Sequence, residues 1–168
     1  MDLSLRNGTA FEIRHIRSDD KELLAAGFRL LSDETRQARF LTAKPSLSKS
    51  ELRYLTEVDG QDHVALIAVE ADRPTHIAGV GRFVRDRERP DTAEFAIVVG
   101  DAYQRQGLGR ALGKALAAEA KARDIHRFTA ITLSDNVGVQ KLIGAIAEHL
   151  EYAHNGDGTR ELTADLAA

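Results

Sequence analysis

Two glycines and one glutamate stand out as residues that could do chemistry. Gly107 and Gly109 lie at the start of an amphipathic pattern, and Glu94 interrupts an apolar run that ends shortly before them. A glycine costs a helix roughly 1 kcal/mol relative to alanine, so a pair of them indicates that a ligand approaches the backbone. The first N–H groups of a helix lack intrahelical partners and bind phosphate. The pattern therefore predicts a phosphate site, against a tight turn that merely needs small residues.

The elements that must position these residues are a strand, a turn and a helix within residues 92–123. Residues 92–99 are apolar and partly β-branched, which is typical of a mostly buried strand. Arg105 and Arg110 bracket the turn and would add positive charge to a phosphate site. After the turn, apolar residues recur at helical spacing: Leu108, Leu112, Ala115, Leu116 and Ala120.

The turn carries a family resemblance. Gln104-Arg105-Gln106-Gly107-Leu108-Gly109 resembles the Q/R-x-x-G-x-G/A signature of the GNAT acyltransferases, which bind the pyrophosphate of acetyl-CoA there. A short strand is predicted at 126–133, and Asp135-Asn136 follows it, where GNAT proteins frequently carry an asparagine. The resemblance spans residues 10–152 and is sharp over 93–142. Segments between 34 and 66 are similar to the bacterial protein-lysine acetyltransferase branch of the family.

The resemblance implies a mixed α/β fold and one cofactor site. It implies a central, mostly antiparallel twisted sheet of about six to seven strands with helices on both faces, and residues 1–168 as one N-acetyltransferase domain. Acetyl-CoA is the implied co-substrate. The backbone of Ile97, Val98 and Val99 would pair with its pantetheine arm like an added strand. The pyrophosphate would be held by the N–H groups of Gln104, Arg105, Gln106, Gly107, Leu108, Gly109 and Arg110.

Asn136 has two interpretations. It would hydrogen-bond the pantetheine or orient the thioester, as the resemblance implies. Alternatively, Asp135 or Asn136 only caps the helix that follows.

Glu94 is the candidate catalytic base. Acetyl transfer to an amine needs a deprotonated nitrogen, because an ammonium with a pKa of about 10.4 has no lone pair to attack with. Glu94 lies on the predicted strand a few residues before the phosphate turn, where a bound thioester would point, and apolar neighbours would partly desolvate its carboxylate. Several GNAT enzymes carry a glutamate at this strand position. The alternative is a carboxylate that faces solvent or pairs with Arg82 or Arg85.

The general acid has no assignment. Many GNAT enzymes place a tyrosine in the helix after the asparagine, whereas position 143 is isoleucine in this chain. The familiar Gly-Phe that follows is replaced by Ala147-Glu148. Tyr152 is a candidate, and a thiolate with a reference pKa near 8.5 needs little help in leaving.

The predicted function is thus acetyl-CoA-dependent N-acetyltransferase, and two other classes compete with it. A non-catalytic acyl-CoA-binding or sensing module of the same fold would bind CoA without turnover. A dinucleotide site would use Gly107, Gly109 and Asp135, but Leu112 stands where a third glycine belongs, and the chain after Asp135 is too short for the rest of such a domain. The histidines show no metal-ligand spacing, so no metal is predicted.

Composition limits the partners. The 168 residues are 43% hydrophobic and 29% charged, which favours one ordinary globular domain. A net charge of −3 argues against a nucleic-acid partner. No apolar run approaches the roughly 20 residues of a membrane span, so no membrane partner and a cytoplasmic location are expected. Whether the acceptor is a small-molecule amine or a protein lysine stays open, as does pairing into a homodimer.

The patterns outside the central segment predict the remaining order of elements. Expected in turn are a loose lead-in at 1–8, a strand at 10–17, helices to about residue 58, strands at 63–70 and 76–86, a helix from 135 to about 150, and a terminal hairpin at 152–154 and 160–166.

Overall fold

The chain is built on one eight-stranded sheet. A computed structural model describes residues 1–72 and 74–167. The strands are β1 (Asp2–Ser4), β2 (Ala10–His15), β3 (His63–Glu70), β4 (Ile77–Arg85), β5 (Thr92–Val99), β6 (Arg127–Leu133), β7 (Ala147–His154) and β8 (Thr159–Leu166). The helices are α1 (Lys21–Arg29), α2 (Asp33–Phe40), α3 (Lys49–Thr56), α4 (Leu108–Lys121) and α5 (Val137–Gly144). None of the described helices combines the length and apolar character that a membrane crossing requires.

The sheet is mostly antiparallel, in the order β1-β2-β3-β4-β5-β6-β8-β7. Only β5 and β6 pair in parallel among the described strands, and α4 connects them. One hydrophobic cluster packs α4 and α5 against the sheet, and a second packs α1 and α3. The prediction of a mixed α/β fold with helices on both faces is confirmed, although the sheet has eight strands rather than six or seven.

The strand β1 was not predicted, and β7 is longer than the predicted hairpin strand at 152–154. The expected lead-in contains β1, which pairs with β2 and places Leu3 opposite Phe11. The helix predicted to run to residue 150 ends at Gly144, and β7 takes up the residues from Ala147. Leu150 follows Ile146 at helical spacing and so suggested a longer helix, whereas pairing with β8 satisfies the backbone of these residues as a strand. In both regions, pairing with a strand from another segment therefore determined the secondary structure.

Helix α4 packs its apolar face into the larger hydrophobic cluster. Leu108, Leu112 and Leu116 recur every four residues on one face and are fully buried. Burial of such a side chain is worth about 2 kcal/mol, so this stripe fixes the helix firmly on the sheet. Phe128 of β6 stacks on Phe95 of β5 with ring centroids 5.1 Å apart. This packing fixes the start of α4 close to the end of β5.

Helix α1 approaches β4 more closely than an ordinary side chain would allow. A Cβ atom at Gly27 would lie 2.4 Å from the backbone oxygen of Ile77. We expect Gly27→Ala to destabilise the protein by about 1–3 kcal/mol, because helix and strand would have to separate. Gly144→Ala is the matched control, since nothing lies within 4 Å of its Cβ position. Urea unfolding measures both; a Gly27→Ala protein as stable as the wild type would contradict the packing argument.

Candidate active site

The strands β5 and β6 part soon after they meet. They pair only through Thr92–Arg127, Ala93–Phe128 and Glu94–Thr129, although both strands continue for several residues. A cleft of about 820 Å³ opens between them and is lined by Ile97, Val99 and Leu133 together with residues of α2, α4 and α5. Beyond its first three pairs, β5 therefore has an edge that no described strand covers.

The alternation of the β5 backbone decides which groups face this cleft. The N–H of Gly100 donates to the carbonyl of Ala78 in β4 at 2.8 Å. Because a strand points successive residues to opposite edges, Val98 directs its backbone groups to β4, while Ile97 and Val99 direct theirs to the cleft. The expectation that all three residues would pair with a ligand is therefore corrected for Val98. The Val99 carbonyl already accepts a hydrogen bond from Gln104 Nε2 at 3.0 Å.

The start of α4 presents free amide groups at the same end of the cleft. Its N-cap residue, Gly107, has φ +99° and supplies no side-chain cap. The first intrahelical bond runs from Ala111 N to Gly107 O at 3.0 Å, which leaves the N–H groups of residues 108–110 without intrahelical acceptors. Nothing lies within 4 Å of the Cβ position of Gly107. A glycine there allows both the left-handed conformation and the approach of a ligand.

Gly109 serves a second purpose that the sequence did not reveal. A Cβ atom there would lie 3.1 Å from Leu142 Cδ1 of α5 and 3.4 Å from Val99 Cγ2. The small residue thus lets α5 and β5 pack closely on α4, in addition to keeping the cleft open.

The side chains of the glycine-rich turn have different environments. Arg105 and Arg110 are exposed and line the cleft. Leu108 is fully buried in the core, so only its N–H group is available to a ligand. Gln106 donates to the carbonyl of Ala102 at 2.9 Å and is not among the residues that line the cleft. The turn would therefore hold an anion mainly through its backbone and two arginines.

A hydrogen-bond cluster ties α2 to this turn. Asp101 accepts from Ser32 N at 2.9 Å, from Ser32 Oγ at 2.7 Å and from Thr35 Oγ1 at 2.8 Å. Burial of Asp101 acts to raise its pKa, but these hydrogen bonds outweigh burial and hold the pKa below its ordinary value. Residues so far apart in sequence gave no signal of this contact. It places α2 along one wall of the cleft.

Glu94 lies where two grooves meet. The first, which we call the arginine groove, has a volume of about 330 Å³ and includes Arg39, Tyr54 and Arg82 in its walls. The second, the acidic groove, has a volume of about 270 Å³ and includes Thr129 and Glu161. Glu94 contributes to both grooves. A substrate in either groove can therefore reach the same carboxylate.

Neither arginine expected to pair with Glu94 does so. Arg82 donates to His63 Nε2 at 3.0 Å and to the Leu55 carbonyl at 3.1 Å. Arg85 donates to Asp62 Oδ1 at 2.8 Å. Glu94 is itself exposed, so the desolvation expected from its apolar strand is not found. The structure leaves a carboxylate that faces an open groove.

Two further predicted residues have clear positions. Asn136 caps α5 by accepting from Val139 N at 3.2 Å, and it also lines the cleft. Tyr152 lies on β7, beyond β8 and away from the cleft, with 43% of its surface exposed. Ile143, at the position where a tyrosine acid was sought, is buried in the core. The described residues therefore bring no tyrosine to the position expected of the acid.

Comparison with known proteins decides the family. The profile described as "Acetyltransferase (GNAT) family" matches residues 25–145. The chain belongs to the GNAT family. This membership confirms the GNAT fold, and it makes acetyl-CoA, the family's acyl donor, the co-substrate.

Individual GNAT relatives agree with this assignment. The chain is 34% identical over 141 residues to Acetyltransferase Pat of Mycolicibacterium smegmatis, covering 84% of this chain but only 42% of that protein. The GNAT domain of S. lividans PAT is 31% identical with a TM-score of 0.86, covering 99% of this chain and 96% of that one. These relatives agree with the similarity of the upstream segments to bacterial protein acetyltransferases.

A more distant GNAT structure shares the fold alone. The acetyltransferase yncA of Salmonella typhimurium, solved with its cofactor acetyl-CoA, is 17% identical with a TM-score of 0.69, covering 93% of this chain and 92% of that one.

Arg82, which lines the arginine groove of this GNAT protein, is bonded to a neutral histidine. A guanidinium only donates, so His63 Nε2 must accept from Arg82. Burial, followed by the charge of Arg82, lowers the pKa of His63 to about 4. Burial, followed by the charge of Arg39, lowers the pKa of Arg82 to about 9. The two arginines of the groove wall are thus partly desolvated, and one of them is bonded to an unprotonated imidazole.

This arrangement predicts a pH dependence of stability. In the unfolded chain His63 binds a proton below about pH 6.5, whereas the folded protein resists protonation until about pH 4, so stability is full above pH 6.5 and falls with acidification. His63→Gln keeps an acceptor for Arg82 and should remove about 1–2 kcal/mol of that fall, after allowance for solvent at this half-buried position. Urea unfolding between pH 7 and 4 measures it. His154→Gln, at an exposed histidine, is the control; equal pH profiles for the two variants would contradict the assignment.

Proposed function

We propose that this chain is an N-acetyltransferase domain, comprising residues 1–168, that moves an acetyl group from acetyl-CoA to an amine. The observation that carries the proposal is the position of the free edge of β5, which lies between the uncapped start of α4 and Glu94 on the same strand. Arg39 lines both the cleft at the start of α4 and the groove that contains Glu94, so the two spaces are neighbours. Family membership supports an acetyltransferase. The chain spans 42% of the length of its Pat relative, so the acceptor and any partner of the whole protein belong to this proposal.

The anchoring of the donor follows from the backbone. The N–H groups of Leu108, Gly109 and Arg110 would bind the pyrophosphate, because they lack intrahelical partners and lie at the positive end of the α4 dipole. Arg105 and Arg110 would add charge from the two sides of the turn. The cleft-facing groups of Ile97 and the N–H of Val99 would pair with the pantetheine amides.

Asn136 also lies at this donor site. Its Oδ1 atom caps α5, so its side-chain N–H₂ group is the part that would contact the pantetheine or the thioester.

Glu94 would act as the general base. Bound acetyl-CoA supplies an activated thioester whose carbonyl carbon the amine attacks. Glu94 takes the proton that the amine loses, directly or through a water molecule, so that the nitrogen lone pair is available for the new C–N bond. Because Glu94 is exposed, the proton can pass from it to solvent after each turnover. The CoA thiolate then leaves with its bonding electrons.

The contribution of the α4 turn can be isolated with one matched pair of glycines. Gly107 has φ +99° and Gly8 has φ +87°, and neither has an atom within 4 Å of its Cβ position. Alanine at either position should cost roughly 1–2 kcal/mol of stability through backbone strain. Only Gly107→Ala should weaken CoA binding, by about tenfold or more, because it disturbs the free N–H groups. Calorimetry with CoA measures this, and equal CoA affinity in both variants would remove the turn from the proposed site.

The role of Glu94 is tested by Glu94→Gln. We expect kcat/KM for acetyl transfer to fall about 10²- to 10⁴-fold while CoA affinity stays unchanged, because the amide keeps the shape of the side chain but accepts no proton. Glu12→Gln, which alters an exposed strand glutamate far from the cleft, should keep wild-type activity. A panel of amines and a free-thiol assay give the rates.

Two results of that assay would count against the proposed chemistry. Full activity of Glu94→Gln across pH would take the base role from this residue. Binding of CoA without turnover in the wild type would favour the acyl-CoA-sensing alternative. That alternative is also supported by Ile143, which is buried at the position where many GNAT enzymes place the tyrosine acid.

A further inference from the structure

Arg39 is a cation that the fold does not neutralise. It lies near the end of α2 and lines both the cleft between β5 and β6 and the arginine groove. Its guanidinium carbon stands 4.8 Å from the centroid of the Phe40 ring. Among the described residues it forms no ion pair or hydrogen bond, and burial lowers its pKa below the ordinary value, against the opposing charge of Glu94. A partly buried guanidinium without a partner, at the wall of a groove, can bind an anionic group of a ligand.

The arginine groove carries an excess of positive charge. Arg39 and Arg82 both line it, and Arg82 is already bonded to His63 and Leu55. Of the two carboxylates in its walls, Glu51 forms an ion pair with Lys44, which leaves Glu94 to face two guanidinium groups. A simple alkylammonium would be repelled from this groove.

The acidic groove has the opposite charge. Its arginines are both engaged, Arg85 with Asp62 at 2.8 Å and Arg89 with Asp86 at 2.7 Å. Glu94 and Glu161 are left without cationic partners among the described residues of its wall. The two grooves meet at Glu94, so the charge changes sign across the proposed base.

We propose that the acceptor is bipolar, with its amine on the acidic side of Glu94 and a nearby carboxylate bound by Arg39. This inference rests on the proposed function and names its substrate class. The carboxylate offsets the excess positive charge of the arginine groove and orients the amine toward Glu94. Its source is either the α-carboxylate of an amino acid or an acidic side chain next to a lysine in a protein.

The test compares acceptors that differ only in the carboxylate. One arm uses L-lysine against L-lysinamide, and the other uses the capped peptides Gly-Lys-Glu-Gly and Gly-Lys-Gln-Gly. Initial rates are measured with acetyl-CoA, and binding is measured by calorimetry in the presence of CoA. In at least one arm we expect the carboxylate-bearing acceptor to be preferred about tenfold in both measurements, and the arm with the preference identifies the source.

Variants of Arg39 assign the preference to this residue. Arg39→Gln should bring the ratio close to one by raising KM for the acidic acceptor, with the neutral acceptor and the KM for acetyl-CoA unchanged. Arg39→Lys should keep part of the preference, because it retains the charge but not the planar fork. Arg29→Gln, which removes an exposed arginine of α1, should keep all of it.

Three outcomes would overturn the proposal. They are no preference in either arm, an Arg39→Gln variant that loses acidic and neutral acceptors in equal proportion, and one that chiefly raises KM for acetyl-CoA. The last would assign Arg39 to the donor. If nothing is acetylated, the proposed function fails, while the calorimetric ratio still decides between a bipolar ligand site and none.

Discussion

The structure depends on the early separation of two parallel strands. If β5 and β6 stayed paired beyond Glu94 and Thr129, the N–H and C=O groups of Ile97 and Val99 would be satisfied within the sheet. The cleft would then close, and the free end of α4 would face no ligand path. Because the strands part after three pairs, β5 has one edge bonded to β4 and one edge open beside the start of a helix. The proposed binding of the donor is thus a property of the backbone before any side chain contributes.

Small residues shape the walls of this cleft in two different ways. Gly107 supplies a backbone conformation at the start of α4, with open space around it. Gly109 and Gly113 instead supply room for Leu142, whose side-chain carbons would lie 3.0–3.1 Å from a Cβ atom at either position. The close approach of α5 to α4 makes α5 one wall of the cleft. One glycine-rich segment therefore meets a conformational requirement and a packing requirement together.

The sequence predicted those parts of the site that are encoded locally. The strand containing Glu94, the glycine-rich turn and the apolar stripe of α4 are patterns of neighbouring residues, and each lies where it was predicted. The strand β1 was missed and β7 was predicted only over residues 152–154, because their full extent depends on pairing with β2 and β8. Arg39 and the contact between Asp101 and Ser32 were missed for the same reason, since spacing along the chain carries no information about partners so far apart. Tyr152 was proposed on residue type alone, and the hairpin carries it away from the cleft.

The charges around Glu94 also bear on how an amine would lose its proton. An alkylammonium with a pKa of about 10.4 must give up roughly 4–5 kcal/mol to be deprotonated at neutral pH. At an effective dielectric constant of about 20, a cation on the order of 8 Å away disfavours the ammonium by about 2 kcal/mol. For an amine inside the arginine groove, Arg39 and Arg82 would therefore supply a large part of this cost, but the same repulsion would weaken binding of the ammonium form. On the acidic side of Glu94, where the proposed acceptor places its amine, Glu94 and Glu161 would instead favour binding of the ammonium. Glu94 must then take the proton as a general base, so affinity and reactivity toward a simple amine oppose each other across the two grooves.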